Sequence, residues 1–192
     1  MSANRARIEP VSGRVAVGLS DRADSSPVSS TPPSAVDPAH FRHVLGHFLT
    51  GVTIITAMDP DAAAPVGLAA SSFTSVSLDP PLVLFCAGTT SSTWPRIQAA
   101  KSYCVNILGE DQETLSRQFS GKGDKFSGVG WRAGRSGSPI IESALAWIDC
   151  VVHEEITAGD HVIVLGRVLD MDTKDSDGPL AYYRGGYGSY AH

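Results

Sequence analysis

Charge of one sign does not accumulate anywhere along this chain of 192 residues. The chain has 15 lysines and arginines and 20 aspartates and glutamates, which gives a formal net charge of −5 at pH 7. Without a basic run, the broad positive surface that binds nucleic acid is not expected. The longest apolar runs are far below the ~18 residues of a membrane span, and the N-terminus lacks the apolar core of a secretory signal. We therefore expect a cytoplasmic protein that uses neither nucleic acid nor a membrane as partner.

Cysteine is scarce, and the obvious metal motifs are missing. The three cysteines lie in apolar, strand-like runs without C-x-x-C spacing, which predicts buried, reduced thiols. They are Cys86, Cys104 and Cys150. His43 and His47 have the i, i+4 spacing of some metal ligands, but Val44 stands where an H-E-x-x-H motif needs a carboxylate. No metal site is predicted.

The chain divides into a tail and one domain. Residues 1–36 contain no aromatic residue and show no sustained hydrophobic periodicity, so they are predicted to form a flexible tail. Residues 37–192 are expected to fold as a single domain, because a chain of 192 residues is long enough for one sizeable core and short for two ordinary domains. Its composition, 42% hydrophobic and 18% charged, indicates a globular protein.

Short β-rich runs dominate the domain. Asp37 as N-cap, Pro38 and apolar residues at helical spacing predict a first helix that ends at Gly51. Two more helices are expected over 91–100 and 110–119, and 120–138 is predicted to be a long surface loop. The remaining runs read as strands: VTIITA, GLAASSF, SVSL, LVLFCA, SYCVNIL, LAWIDCVVHEEI and HVIVLGRVLDM. Many strands with few helices indicate a barrel or a sandwich.

The stretch GLAASSFTSVSL is unusually rich in hydroxyl groups for a strand with interior-like flanks. As one continuous strand it would place Ser71, Phe73, Ser75 and Ser77 on one side. Two interpretations remain open from the residues alone: the solvated face of an antiparallel strand, or a set of contacts to a flat, polar-edged ligand.

Other candidate site residues carry individually weak signals. The hydroxyls of residues 91–93 stand where a helix begins and could receive a phosphate. Lys125 lies in GKGDKF, which lacks the spacing of a P-loop, and His161 follows a Gly-Asp turn. No Ser-His-Asp or G-x-S-x-G signature is present. A solvated lysine and a structural histidine are the alternatives for Lys125 and His161. By themselves these residues therefore indicate only a β-rich binding domain, with an anionic, planar ligand as one candidate.

Five blocks together resemble the flavin reductase family. In order, they are GLAASSFTSVSLDPPLVLFC, SSTWPRI, FSGKGDKFSG, GDHVIVLGRV and PLAYYRGGYG. The resemblance implies a mainly β fold with peripheral helices, an FMN-binding split β-barrel that is Greek-key-like. It also implies a homodimer that reduces FMN or FAD with NADH or NADPH and supplies the reduced flavin to a separate monooxygenase.

The same resemblance implies a set of site residues. His161 is expected beside the nicotinamide as the catalytic residue, with Tyr187 as a second nicotinamide contact. The absence of an arginine cluster for a 2′-phosphate favours NADH. The expected flavin contacts are Ala70, Ser71, Ser72, Phe73, Thr74, Ser75, Val76, Ser77, Ser91, Ser92, Thr93, Lys125 and Phe126.

Two other functions fit a split barrel. One is an oxidase with tightly bound FMN that acts on its own substrate, and the other is a non-enzymatic flavin carrier or electron-transfer protein. The GDH block favours the reductase, because a nicotinamide site has no use in a carrier.

Overall fold

The structure is a computed structural model that describes residues 36–174 and 178–189. The predicted tail, residues 1–36, lies outside the described residues except for Val36. Its flexibility therefore stays a prediction.

Three short helices and twelve strands make up the described part of the chain. The helices are α1 (Pro38–Leu45), α2 (Trp94–Ala100) and α3 (Glu113–Ser120). The strands are β1 (Thr50–Gly51), β2 (Thr53–Asp59), β3 (Ala64–Ala70), β4 (Thr74–Leu78), β5 (Pro81–Gly88), β6 (Ser102–Ile107), β7 (Trp131–Ala133), β8 (Pro139–Ile141), β9 (Ala146–Ala158), β10 (His161–Thr173), β11 (Leu180–Tyr183) and β12 (Gly186–Ser189).

Seven of the strands form one antiparallel sheet in the order β3-β2-β6-β9-β10-β5-β4. The sheet curls so that β3, at one edge, comes back towards β5. Ser72, just after β3, marks this approach: its hydroxyl accepts from the Cys86 N–H at 2.9 Å and donates to the Cys86 carbonyl at 3.2 Å. The prediction of a mainly β, barrel-type fold with peripheral helices is confirmed.

The barrel interior is apolar and is closed by α2. Phe85 of β5 meets Trp94 and Tyr103 edge-on, with ring centroids 6.0 and 5.1 Å apart. Trp94 and Ile97 of α2 are buried in this same cluster, so the helix is held against the strands by its apolar face. A second cluster, which includes Phe119 of α3, lies on the other face of β2. The two clusters fix α2 and α3 on either side of β3.

The first helix is shorter than the sequence predicts. Asp37 does cap it, because its carboxylate accepts from the His40 N–H at 2.8 Å. The helix ends at Leu45 rather than at Gly51, and the Gly46 carbonyl accepts from the Arg184 N–H at 2.9 Å instead of continuing the helical hydrogen bonds. No residue of α1 is buried. Its apolar spacing is therefore not explained by packing within the described residues.

Two further expectations are corrected. The hydroxyl-rich stretch is not one strand, because residues 71–73 leave the ladder where Ser72 bonds the backbone of Cys86. The segment 120–138 is not all loop, because β7 pairs with β8. The buried Asp149 carboxylate fixes the turn between those two strands by accepting from the N–H and the hydroxyl of Ser136, at 2.6 and 2.5 Å.

Candidate functional site

Strand β3 forms one wall of two neighbouring clefts. The first, here called the basic cleft, has a volume of about 450 Å³ and is lined by residues 64–67, 92, 93, 96 and 121–126. The second, the histidine cleft, has a volume of about 330 Å³ and is lined by residues 68–72, 86–88, 91 and 161. Because the clefts follow consecutive segments of one extended strand, a long ligand can occupy both.

Lys125 joins three parts of the basic cleft. Its Nζ donates to the Gly67 carbonyl of β3 at 3.2 Å and to the Thr93 hydroxyl before α2 at 3.4 Å. Burial lowers the pKa of Lys125 from its ordinary value of 10.5. An ammonium that is partly desolvated in this way gains most from an anionic partner. The structure thus brings the predicted residues Thr93 and Lys125 together as one cationic centre.

Arg96 is a second cation in this cleft, and sequence reasoning missed it. Its Nε donates to Oδ2 of Asp59 at 2.5 Å, and Asp59 is buried at the end of β2. The signal was present in the sequence, because Arg96 stands three residues after Thr93 and therefore on the same face of the predicted helix. The hydrogen bond from Arg96 holds the pKa of the Asp59 carboxyl below its usual range.

The three hydroxyl residues before α2 have different roles. The Ser91 hydroxyl accepts from the N–H groups of Thr93 and Trp94, at 3.3 and 3.2 Å, so it already caps the helix. Ser92 and Thr93 line the basic cleft, whereas Ser91 lines the histidine cleft. The predicted set is therefore brought to the junction of the two clefts.

His161 lies at the far end of the histidine cleft. It begins β10, pairs in register with Gly88 of β5, and its Nδ1 lies 2.7 Å from Oδ1 of Asp160. The His161 side chain is 49% exposed. The bond with His161 also lowers the pKa of the Asp160 carboxyl. Because Asp160 occupies Nδ1, the Nε2 atom is the one left to meet a ligand.

Tyr187 lines a third, smaller cleft of about 200 Å³ rather than the histidine cleft. Its hydroxyl lies 2.9 Å from that of Ser116, and its ring meets Tyr182 at 5.1 Å. Residues 69–71 line both this cleft and the histidine cleft. His161 and Tyr187, predicted to contact the same group, thus adjoin the same three residues from different clefts.

The other predicted contacts are spread over two regions. Phe126 lines the basic cleft and packs on Phe119 with ring centroids 5.0 Å apart. Ala70, Ser71 and Ser72 line the histidine cleft, and Phe73 packs partly against the barrel interior. Thr74, Ser75, Val76 and Ser77 belong to the edge strand β4 and line neither cleft.

The buried thiols offer no nucleophile. Burial raises the pKa of Cys150 to about 12 and also raises that of Cys104, so both stay protonated near neutral pH. Within 36–174 and 178–189, no group of three or more histidine, cysteine, aspartate or glutamate side chains is placed to hold a metal ion. In the same residues, no helix is long and apolar enough to cross a membrane.

The site's donor set fits a flat ligand with an anionic end. Lys125, Thr93 and Arg96 provide cationic and hydroxyl groups at one end, as a phosphate requires. Small residues at 69–72 leave the backbone of β3 accessible beside His161 at the other end. The arrangement can therefore bind and orient two planar groups.

Comparison with known proteins identifies relatives across the described domain. Residues 45–191 match the family described as the Flavin reductase like domain. A flavin reductase of Pseudomonas putida is 50% identical over 159 residues, covering 82% of this chain and 93% of the relative. HsaB, the reductase subunit of a flavin-dependent monooxygenase of Mycobacterium tuberculosis, is 46% identical over 79% of this chain and 82% of the relative.

Solved structures of flavin reductases and related reductase components superpose on this chain. The nitrilotriacetate monooxygenase component B homologue of Mycobacterium thermoresistibile superposes with a TM-score of 0.76 at 47% identity, covering 80% of this chain and 86% of that one. The NADH:FAD oxidoreductase SgcE6 of Streptomyces globisporus superposes with a TM-score of 0.76 at 36% identity, covering 84% of this chain and 100% of that one.

Proposed function

This chain belongs to the flavin reductase-like family, and we propose that it is an NAD(P)H-dependent flavin reductase that supplies reduced flavin to a separate monooxygenase. The observation that carries the proposal is the continuous wall of β3, with a cationic centre at one end and His161 at the other. The relatives include a reductase subunit of a flavin-dependent monooxygenase and an NADH:FAD oxidoreductase.

The protein's part in the reaction is to bind and orient its two substrates. When both are bound, the nicotinamide supplies a hydride and the flavin accepts it. Lys125 and Thr93 would hold the flavin phosphate, and the backbone of residues 69–72 would line the ring. The histidine cleft would hold the two rings in contact, which leaves no room for water between the reacting groups. Hydride transfer between the two bound substrates needs no acid–base triad.

His161 is the residue we assign to the nicotinamide. Asp160 bonds Nδ1 and leaves Nε2 facing the cleft, where it can hydrogen-bond the carboxamide of the nicotinamide. Tyr187 adjoins the same backbone segment from the neighbouring cleft, which supports its assignment as a second contact. The relatives include an FMN reductase that uses NADH and an NADH:FAD oxidoreductase. They support FMN or FAD as the acceptor and NADH as the donor.

The same barrel also suits the two alternatives, an oxidase with tightly bound FMN and a flavin carrier. Neither the basic cleft nor the histidine cleft is a sealed cavity. An accessible cleft suits a flavin that enters and leaves as a substrate. This favours the reductase.

We further propose that the protein acts as a homodimer in the cytoplasm. Phe41, Val44, Leu45, Phe48 and Leu49 leave α1 and its extension with an exposed apolar face, and Leu78 on the edge strand is 96% exposed. A second copy of the chain would cover such surfaces. The three free cysteines support a reducing compartment.

Dialysis followed by turnover separates the candidate functions. A reductase is expected to lose most of its flavin on dialysis and then to oxidise NADH when a small amount of free FMN or FAD is returned. Retention of stoichiometric flavin without NADH oxidation would instead identify a carrier, and retention with turnover of another substrate would identify an oxidase.

A substitution at Lys125 tests where the phosphate binds. Lys125→Gln is expected to weaken FMN binding by on the order of tenfold, because one charge-assisted hydrogen bond is lost. Riboflavin lacks the phosphate, so its affinity should not change. Fluorescence titration of the flavins measures both. Equal losses for FMN and riboflavin would place Lys125 elsewhere.

A further inference from the structure

Arg96 is oriented by a buried carboxylate at the end of the basic cleft. The Asp59 side chain is 6% exposed, and Oδ1 accepts from the Asp61 and Ala62 N–H groups at 2.9 and 3.3 Å. Its other oxygen, Oδ2, binds Nε of Arg96. In the part of the chain that the structure describes, the two terminal nitrogens of the guanidinium make no hydrogen bond. Asp59 thus fixes Arg96 while leaving its terminal nitrogens for a ligand.

The register of β2 and β3 places Arg96 away from the histidine cleft. Asp59 pairs with Ala64, whereas Thr53, at the other end of β2, pairs with Ala70. Lys125 contacts Gly67, in the middle of β3. Since a strand rises about 3.3 Å per residue, the cleft continues roughly 10 Å beyond Gly67 before it reaches Ala64.

Two cationic centres therefore stand in sequence along one wall. Thr93 belongs to the Lys125 centre, and Arg96 follows it by one turn of α2, with the Arg96 N–H bonded to the Thr93 carbonyl at 3.1 Å. Three residues of an α-helix rise about 4.5 Å. Side chains that start from positions this close can each contact a different phosphate of a diphosphate. A flavin with a single phosphate needs only the Lys125 centre.

We propose that Arg96, positioned by Asp59, binds the second phosphate of a flavin dinucleotide, so that the protein selects FAD over FMN. This inference rests on the proposed function, because it assumes that the flavin ring lies in the histidine cleft. The remaining lining at this end, Ala64, Pro65 and Val66, offers an apolar surface to the adenosine. Arginine suits the role because its planar group donates two parallel hydrogen bonds to a phosphate.

Binding measurements on flavin-free protein test the proposal. Wild-type protein should bind FAD more tightly than FMN. Arg96→Gln is expected to weaken FAD binding by on the order of tenfold, while FMN and riboflavin affinities stay within about twofold of wild type. Isothermal titration with FAD, FMN and riboflavin supplies these values, and Arg135→Gln, outside the cleft, is the matched control.

Additional variants separate positioning from simple stabilisation. Arg96→Gln leaves the Asp59 carboxylate buried without its partner, so the double variant Asp59→Asn/Arg96→Gln is measured as well. It should show the same selective loss of FAD affinity with a melting temperature closer to wild type. Asp59→Asn alone should also weaken FAD selectively, and Arg96→Lys should restore less than half of the lost selectivity, because lysine lacks the planar fork.

Several results would overturn the inference without affecting the proposed function. One is wild-type protein that binds FMN as tightly as FAD or more tightly. Another is an Arg96→Gln variant that loses affinity for FMN and FAD equally. The third is an Arg96→Gln variant with unchanged FAD affinity and only a lowered melting temperature. A rise in the NADH KM with unchanged FAD affinity would assign Arg96 to the nicotinamide dinucleotide instead. If the wild type failed to reduce any flavin with NADH, the proposed function itself would fail.

Discussion

At the residue scale, the site depends on a few side chains that the fold brings together from distant parts of the chain. Lys125 and Thr93 meet across 32 residues, and Arg96 meets Asp59 across 37. The sequence indicated the first pair only through a resemblance, since GKGDKF alone is a weak phosphate signal. It gave no sign of Asp59, because only the folded chain brings this carboxylate to Arg96 of α2.

His161 gives a direct prediction. His161→Ala should lower kcat/KM for NADH by roughly ten- to hundredfold, because one hydrogen bond or stacking contact to the nicotinamide is lost. Flavin affinity and melting temperature should stay near the wild-type values, since the side chain is half exposed and lies at a turn. Stopped-flow reduction together with a thermal melt provides the test. Unchanged NADH kinetics with a lowered melting temperature would show that His161 only holds the turn.

Asp59 predicts a pH dependence of stability. Its pKa is lowered in the folded protein by Arg96, from an ordinary value of 3.8. A lowered folded pKa means that the stabilisation is fully present above the unfolded pKa and is lost as the pH falls through the folded value. In urea unfolding, the wild type should therefore have a larger free energy of unfolding than Asp59→Asn at neutral pH. That difference should shrink only below about pH 4. A difference that is constant down to pH 2 would contradict the ion-pair account.

At the element scale, strand runs and their antiparallel arrangement follow closely from the sequence. The runs of β2, β5, β6, β9 and β10 were all predicted within a few residues, because alternating or continuous apolar patterns are strong local signals. The break at 71–73 was not, since it depends on Ser72 meeting Cys86 across the barrel. Likewise, the β7–β8 pair depends on Asp149, a residue that follows both strands in the chain. Long-range polar contacts of this kind produce no periodic pattern in the sequence.

Ser72 therefore has a predicted structural role distinct from its neighbours. Ser72→Ala removes both hydrogen bonds to the Cys86 backbone and should lower the free energy of unfolding by about 1–3 kcal/mol. Ser75→Ala is the matched control, because Ser75 lies exposed on β4 and should change stability by no more than about 0.5 kcal/mol. Chemical denaturation of both variants measures the effect. Equal, small losses would show that Ser72 does not hold β3 against β5.

At the scale of the whole molecule, α1 is the feature that the protomer alone does not explain. Its apolar spacing predicts a buried face, yet none of its residues is buried, and Phe48 just beyond it is 76% exposed. The sequence predicted the start of the helix but placed its end at Gly51 rather than at Leu45, and helical spacing alone does not show which surface covers the apolar face. A second protomer supplies that surface in the proposed dimer.

Phe48→Asp is therefore expected to weaken or abolish the dimer, since a charge would be buried in an apolar interface. Met171→Asp, at another exposed apolar residue on β10, serves as the control and should remain dimeric. Sedimentation velocity at several concentrations gives the oligomeric state. A wild type that is monomeric and binds flavin fully would contradict the dimer.

Transfer of reducing equivalents from a nicotinamide to free flavin is the activity from which the roles of Lys125, Arg96 and His161 follow. Anaerobic stopped-flow spectroscopy with excess NADH, a trace of protein and a large excess of free FAD over protein measures this transfer. We expect many turnovers, seen as complete loss of the oxidised flavin absorbance, at a rate proportional to protein concentration. Reduction limited to one flavin per protein, or no reduction above the protein-free rate, would contradict it.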